Sequence, residues 1–174
     1  MLSLSKRQLM ALYQLRSKQI LPISMEKAWE FLSSPKNLQV ITPDHMGFQI
    51  LSGAERSMYP GQIIQYIVRP FPFVTTRWVT EITHVQDGSY FVDEQRFGPY
   101  ALWHHKHFLK EVEGGVEMED VIDYKLPFGI LGTWAHSLLV KNQLLKIFKY
   151  REEKLSALFG TVAQAKNSLE FKTI

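Results

Sequence analysis

Five consecutive residues, Trp103-His104-His105-Lys106-His107, concentrate the polar chemistry of this 174-residue chain. On a strand the side chains alternate, so Trp103, His105 and His107 share one face and His104 and Lys106 the other. Two imidazoles two residues apart converge on a point and could ligate a metal if a third ligand joined them. Asp120, Asp93 and His84 are the available types, and no spacing fixes any of them. Two other readings compete with a metal. The histidines can donate to carboxylates and carbonyls across a sheet, as buried polar groups must. They can also form a polar patch that orients a ligand inside a cavity. Asp93, Gln95 and Asp120 are the candidate partners. Asp93 and Gln95 share a face of the strand hairpinned to the histidine strand, so a carboxylate–imidazole pair across the two strands is expected. Such a pair, once buried, titrates abnormally and can hold or release a proton, which is one ingredient of general acid–base catalysis. No resident metal and no cofactor is expected.

The elements that must position these groups follow from pattern. Leu12 to Leu21 suits a strand, with Leu15, Gln19 and Leu21 on one side. Ser24 is placed to cap a helix over MEKAWEFLSS, and Pro35 both stops that helix and opens a second short one, KNLQVI. Strand-like runs follow at 48–51, 62–68, 75–85, 90–97, 100–112 and 116–124. They are punctuated by Pro70-Phe71-Pro72-Phe73, Asp87-Gly88, Gly98-Pro99 and Glu113-Gly114-Gly115. Hairpin-sized links favour an antiparallel meander. In the last run Val116, Met118, Asp120, Ile122 and Tyr124 share a face, and Glu117, Glu119 and Asp123 are expected to look into water. From Leu131 to Phe159, apolar residues at Leu131, Trp134, Leu138, Leu145, Phe148, Leu155 and Phe159 mark one side of a long helix. That helix would run roughly 43 Å if unbroken, with Gly160 at its C-terminal cap. A sheet gripping such a rod suggests a pocket between them.

Composition sets bounds. The chain is 45% apolar and 21% charged, with net charge +3, which is ordinary for one globular domain. Lys and Arg are scattered, so nucleic acid is not an expected partner. There is no cysteine, which removes disulfides and thiolate chemistry and fits a cytoplasmic setting. No apolar run reaches the roughly 20 residues of a membrane span, and the N-terminus lacks the marks of a signal peptide. Serine-hydrolase, phosphate-loop and His-Glu-x-x-His motifs are missing. Aromatic residues make up 13% of the chain, enough to line a cavity as well as fill a core. Tyr66, Trp78, Trp103, Tyr124 and Trp134 are the candidates. Phe71 and Phe73 could form a gate, a membrane-touching tip or ordinary edge packing.

This order of elements is similar to the helix-grip fold of the START-like (SRPBCC) superfamily. LPISMEKAWEFLSSPKNLQVITP resembles the superfamily's opening. FVDEQRFGPYALWHHKHF resembles a subfamily pattern that ends in Trp-x-His-x-His-Phe, and EDVIDYKLPFGILG resembles its last strand and approach to the final helix. The resemblance spans residues 12 to 160, leaving 1–11 as a lead-in and 161–174 as a tail. It implies an α+β helix-grip fold, in which a curved antiparallel sheet of about seven strands wraps a long C-terminal helix. Two short helices follow the first strand. The superfamily includes lipid carriers, pollen allergens that bind hydrophobic molecules, polyketide cyclases and coenzyme Q-binding proteins. Some relatives are fused to a nucleotide-sugar epimerase-like domain, for which this chain is too short.

The expected function is binding of a small hydrophobic or amphipathic molecule between sheet and helix. Tyr66, Trp78, Gln95, Trp103, His105, His107, Asp120, Tyr124 and Trp134 would form the site. One alternative is a cyclase- or dehydratase-type enzyme using His105, His107, Asp120 and Asp93. Another is a regulatory protein-interaction module acting through Lys141, Lys146, Lys149 and Lys154 on the helix's outer side.

Overall fold

The computed structural model describes residues 11–71, 74–127 and 139–174, with Phe71 described by its backbone alone. Strand β1 (Tyr13–Leu21) leads into helix α1 (Met25–Leu32), the short helix α2 (Asn37–Val40) and a 3-10 turn at Asp44–Met46. Six strands follow: β2 (Gln49–Ser52), β3 (Gln62–Phe71), β4 (Val74–Gln86), β5 (Tyr90–Phe97), β6 (Leu102–Val112) and β7 (Gly115–Lys125). Helix α3 (Lys141–Phe159) and strand β8 (Ser168–Thr173) complete the elements among the described residues. The eight strands form one antiparallel sheet in the order β2-β3-β4-β5-β6-β7-β1-β8. The sheet is curved and α3 lies in its grip. The expected count of about seven strands becomes eight because β8 falls within 161–174, the stretch that reads from sequence as a tail.

Local chemistry explains these elements. Ser24 caps α1, its hydroxyl accepting from the Lys27 amide at 3.3 Å, which satisfies one amide that the first helical turn leaves without a partner. Ser24→Ala is expected to cost about 1 kcal/mol in urea unfolding, and no measurable loss would show that the cap is idle. The turn at Asp87-Gly88 closes with the Ser89 amide donating to the Gln86 carbonyl at 3.0 Å. Gly115 opens β7 at φ +150°, and a Cβ there would stand 2.0 Å from the Leu21 carbonyl oxygen. No larger residue fits without moving β1. The prolines predict a break in the ladder at Pro70. Instead β3 continues through Phe71, with an irregular register between Val68 and Phe71. Phe73 lies outside the described residues.

The long helix differs from its sequence pattern in one respect. The described α3 has 19 residues, about 28 Å of rod, and Leu131, Trp134 and Leu138 lie outside the described residues. Its buried face is Leu144, Phe148, Arg151 and Leu155; Leu144 takes the place expected of Leu145. Gly160 ends the helix at φ +90°, its amide bonded to the Ser156 carbonyl at 2.8 Å.

Two apolar layers fix α3 on the sheet. Leu144 and Phe148 pack with Leu15, Ile122 and Tyr124. Leu155, fully buried, packs with Leu21, Val116 and Met118. Between the layers Gln19 of β1 donates to the Glu152 carbonyl and the Ser156 hydroxyl, both at 3.0 Å. That amide is 3% exposed, so it sets where α3 sits along β1 as well as holding it.

The outer face of β7 does not simply look into water. Lys18 pairs with Glu117 at 3.0 Å, Arg16 with Glu119 at 3.2 Å and Lys106 with Asp123 at 2.6 Å. The cause is strand order: β7 lies between β1 and β6, whose outward residues include Arg16, Lys18 and Lys106. Such half-exposed pairs add little stability each, but they fix register.

Candidate functional site

A cavity of about 170 Å³ opens between the sheet and α3. Its walls are largely apolar, with Ile64 and Trp78 from the sheet, Phe31 and Leu38 from the short helices, and Leu144 and Phe148 from α3. The lining includes Asp93, His105, His107, Asp120 and Arg151, which form one cluster.

Sheet register assembles this group. Asp93 on β5 stands opposite His105 on β6, and His107 stands opposite Asp120 on β7. All four point to the inner face by the alternation of strand side chains. The two imidazoles lie against each other with ring centroids 3.7 Å apart. A carboxylate sits at either side of the pair. Asp120 Oδ1 is 2.9 Å from His105 Nε2 and 2.8 Å from His107 Nδ1. Asp93 Oδ2 is 2.9 Å from His107 Nε2 and 3.5 Å from His105 Nδ1. Arg151 reaches down from α3 to place Nη1 3.5 Å from Asp120 Oδ1. Phe91 stacks on His107 at 4.1 Å, and the Arg151 guanidinium lies 4.7 Å from the Phe148 ring centre.

The electrostatics separate the two histidines. Burial pushes His105 down to about 4, helped by the charge of His107 and opposed by its bond to Asp120. Burial also disfavours charge on His107, but hydrogen bonds to Asp120 and Asp93 outweigh it and raise that group above its ordinary value. For Asp120, burial favours the protonated form. The Arg151 charge and the bonds to His105 and His107 outweigh this, and its carboxyl lies well below the ordinary range. With His107 protonated, as its raised value favours, two carboxylates face two cations, Arg151 and His107, while His105 is held toward the neutral form. The buried group is balanced in charge, as burial of ions requires.

Three side-chain atoms of the described lining residues are nevertheless fully buried with no hydrogen-bond partner: Asp120 Oδ2, Arg151 Nε and Trp78 Nε1. Each normally finds one.

Asp93, His105 and His107 also offer three donor atoms within 4.8 Å of one another, a set of the type that takes a divalent cation. The 2.9 Å separation of His107 Nε2 and Asp93 Oδ2 is hydrogen-bond spacing. Two donors bound tetrahedrally to one zinc at 2.0–2.1 Å would stand roughly 3.3 Å apart, so a cation and this hydrogen bond are alternatives.

The other sequence candidates separate clearly. Tyr66 and Trp103 line the cavity with Trp78, and the Tyr66 hydroxyl pairs with Thr80 Oγ1 at 2.8 Å. Gln95 is not among the lining residues. Its amide donates to the Tyr100 carbonyl at 2.7 Å and accepts from the Tyr100 N–H at 3.2 Å, so it braces the β5–β6 turn. Gly98 makes room for that brace, because a Cβ there would lie 2.4 Å from Gln95 Oε1. Tyr124 is fully buried in the core, its ring centre 5.6 Å from that of Tyr13, and is not in the lining either. Trp134 lies outside the described residues. His84 bonds its neighbour Thr83 at 3.1 Å, apart from the cluster. Arg151 is the site residue that sequence reasoning missed. Its signal is there, since it falls three residues after Phe148 and four before Leu155, a charged residue on an apolar stripe.

No family model matches the chain, and no curated protein matches it. Solved structures do. Protein TTHA0849 from Thermus thermophilus superimposes with a TM-score of 0.63 at 13% identity, covering 83% of this chain and 98% of that one. Ara h 8.0201 matches with a TM-score of 0.54 at 15% identity, covering 84% of this chain and 99% of that one. A nucleoside-diphosphate sugar epimerase from Corynebacterium glutamicum matches at 21% identity and a TM-score of 0.58, over 80% of this chain but 28% of its own. Likeness at these identities speaks to architecture alone, and that architecture is the helix-grip fold.

Proposed function

We propose that this chain binds a small, mostly apolar molecule in the cavity between sheet and α3. The observation that carries the reading is an apolar hollow of about 170 Å³ with a charge-balanced polar group in its lining. Ligand sites combine these features: apolar walls for affinity and a few placed polar groups for orientation. The volume is close to that of a roughly 150 Å³ cavity known to hold benzene and below the roughly 300 Å³ where drug-sized sites begin. One ring, or an aliphatic frame of similar bulk, is the fitting size.

A cyclase- or dehydratase-type reaction receives less support. Every nitrogen of His105 and His107 faces a carboxylate oxygen, at 2.8 to 3.5 Å. A general base needs a free lone pair within reach of its substrate; both nitrogens of His107 are engaged, and the one lone pair of neutral His105, on Nδ1 when Nε2 donates to Asp120, faces Asp93 Oδ2 at 3.5 Å. The cluster suits holding and orienting better than proton transfer.

The test is calorimetric titration with p-xylene. The expected result is saturable one-to-one binding, weakened tenfold or more by Ile147→Trp, which places bulk in the lining. Absence of binding by the unmodified chain up to the solubility of p-xylene would overturn the reading.

A further inference from the structure

We propose that Asp93 Oδ2, His105 Nδ1 and His107 Nε2 together bind a divalent cation that favours imidazole, zinc being the type case. The inference goes beyond the binding reading above and does not rest on it. The three residues offer donor atoms within 4.8 Å of one another. Two stand at alternate positions of β6 and the third on β5, where Asp93 pairs with His105. Sheet register thus supplies the third ligand that the histidine spacing alone leaves open. Two neutral imidazoles and a carboxylate are a set that zinc and its first-row neighbours take with a coordination position to spare. Magnesium and calcium prefer oxygen ligands throughout. All three residues line the cavity, and the side chains of Asp93 and His107 keep 15% and 13% exposure, so an ion has a way in.

One acceptor in this group faces another. His105 Nε2 bonds Asp120 Oδ1 at 2.9 Å, a contact that requires a proton. With that proton alone, the Nδ1 lone pair of His105 stands 3.5 Å from Asp93 Oδ2, with no hydrogen between them. Moving the proton to Nδ1 only transfers the confrontation to Asp120. A second proton on His105 would put its charge against that of a protonated His107, whose ring centroid is 3.7 Å away, and like charges that close repel. A cation between Asp93 and the two rings satisfies the lone pair and the carboxylate at once. The far side of each ring is already arranged for it. His105 Nε2 and His107 Nδ1 meet Asp120 Oδ1 at 2.9 and 2.8 Å, and Arg151 Nη1 lies 3.5 Å from the same oxygen. Metal-bound histidines donate their remaining N–H to a carboxylate in this way, which fixes the tautomer and aims the free lone pair at the metal.

The movements required are small. Ligands at about 2.0–2.1 Å from one zinc stand roughly 3.3 Å apart. The Asp93–His107 contact must therefore open from 2.9 Å by about 0.4 Å, and the Asp93–His105 contact close from 3.5 Å by about 0.2 Å. The ion takes the place of the proton between His107 and Asp93. With Asp93, Asp120 and Arg151 it leaves one net positive charge, which a monoanion at the open position cancels.

The experiment titrates the chelator-treated chain, free of any histidine tag, with zinc chloride and separately with magnesium chloride by calorimetry. A crystal soaked in zinc chloride is then measured at the zinc absorption edge. The expected result is one zinc bound per chain, no saturable binding of magnesium, and an anomalous peak between Asp93, His105 and His107. Asp93→Asn is expected to weaken zinc about tenfold or more, while His84→Ala and His104→Ala leave its affinity unchanged. No saturable zinc binding, magnesium bound as tightly as zinc, or an anomalous peak only at His84 or His104 would each overturn the inference. Any of these results leaves the cavity reading to stand or fall on p-xylene. The titration and the anomalous map use the unmodified chain, so their outcome does not depend on a variant folding.

Discussion

Asp120→Ala is expected to lower the stability of the fold by about 3–5 kcal/mol, the range seen when one partner of a buried ion pair is removed. The side chain is fully buried. Its Oδ1 is approached by His105 Nε2 at 2.9 Å, His107 Nδ1 at 2.8 Å and Arg151 Nη1 at 3.5 Å. Without it, Arg151 and His107 share a single carboxylate, Asp93, and one positive charge stands uncompensated beneath α3. His107 is expected to respond by losing its second proton. The measurement is urea unfolding together with NMR titration of the His107 ring. A double replacement, Asp120→Leu with Arg151→Met, removes both charges and is expected to recover much of the loss, because the desolvation cost of the pair disappears with it. A single variant as stable as the parent would show that the pair is not held as described.

The second large effect is in the pH dependence of stability. His105 is held down to about 4, against an ordinary value of about 6.5. As pH falls from 6.5 toward 4, the unfolded chain takes up a proton on His105 that the folded chain refuses. Stability is therefore expected to fall across that window by roughly 3 kcal/mol at about 1.4 kcal/mol per pH unit. His107 acts in the opposite sense. Its folded value is raised, so its contribution is complete below about 6.5 and is lost as pH rises through the folded value. Asp120 is held well below its ordinary value of 3.8, so its contribution persists through this window and is lost only in stronger acid. Together the cluster predicts a stability maximum near pH 6.5 with a slope on each side. Unfolding midpoints measured from pH 4 to 8 check it. His105→Gln keeps a donor toward Asp120, removes the titration and is expected to flatten the acid side. A His105 ring that titrates near 6.5 by NMR would contradict the assignment.

Much of this architecture is legible in the sequence because its signals are local. Asp87-Gly88, Gly98-Pro99 and Glu113-Gly114-Gly115 punctuate strands that the structure pairs as neighbours. The Asp93–His105 pairing follows from one hairpin and the alternation of side chains. What escapes the sequence depends on contacts distant along the chain. Strand β8 reads as a short alternation, SLEFKT, and its partner is β1, where Leu15 meets Phe171 and Ser17 meets Leu169. Nothing near Ser168 announces that pairing.

The choice between Leu144 and Leu145 is a matter of helix phase. Both fit a stripe loosely, and the sheet surface beneath α3 selects Leu144. Arg151 belongs to the same phase, but a charged residue on an apolar face acquires meaning only when its partner, Asp120, is seen below it. Gln95 and Tyr124 are polar or aromatic residues on the correct strands, but their positions along those strands put them against the Tyr100 turn and the Tyr13 core rather than in the lining. The cavity itself is a volume left unfilled between packed layers, and a pattern of residue types does not reveal a volume.

The hollow between the sheet and α3 is tested most directly by a crystal of the chain under xenon pressure. The account predicts xenon within the space bounded by Ile64, Trp78, Leu144 and Phe148, with Arg151 and Asp120 still paired beside it. An interior closed by side chains, with no xenon between α3 and the sheet, would contradict it.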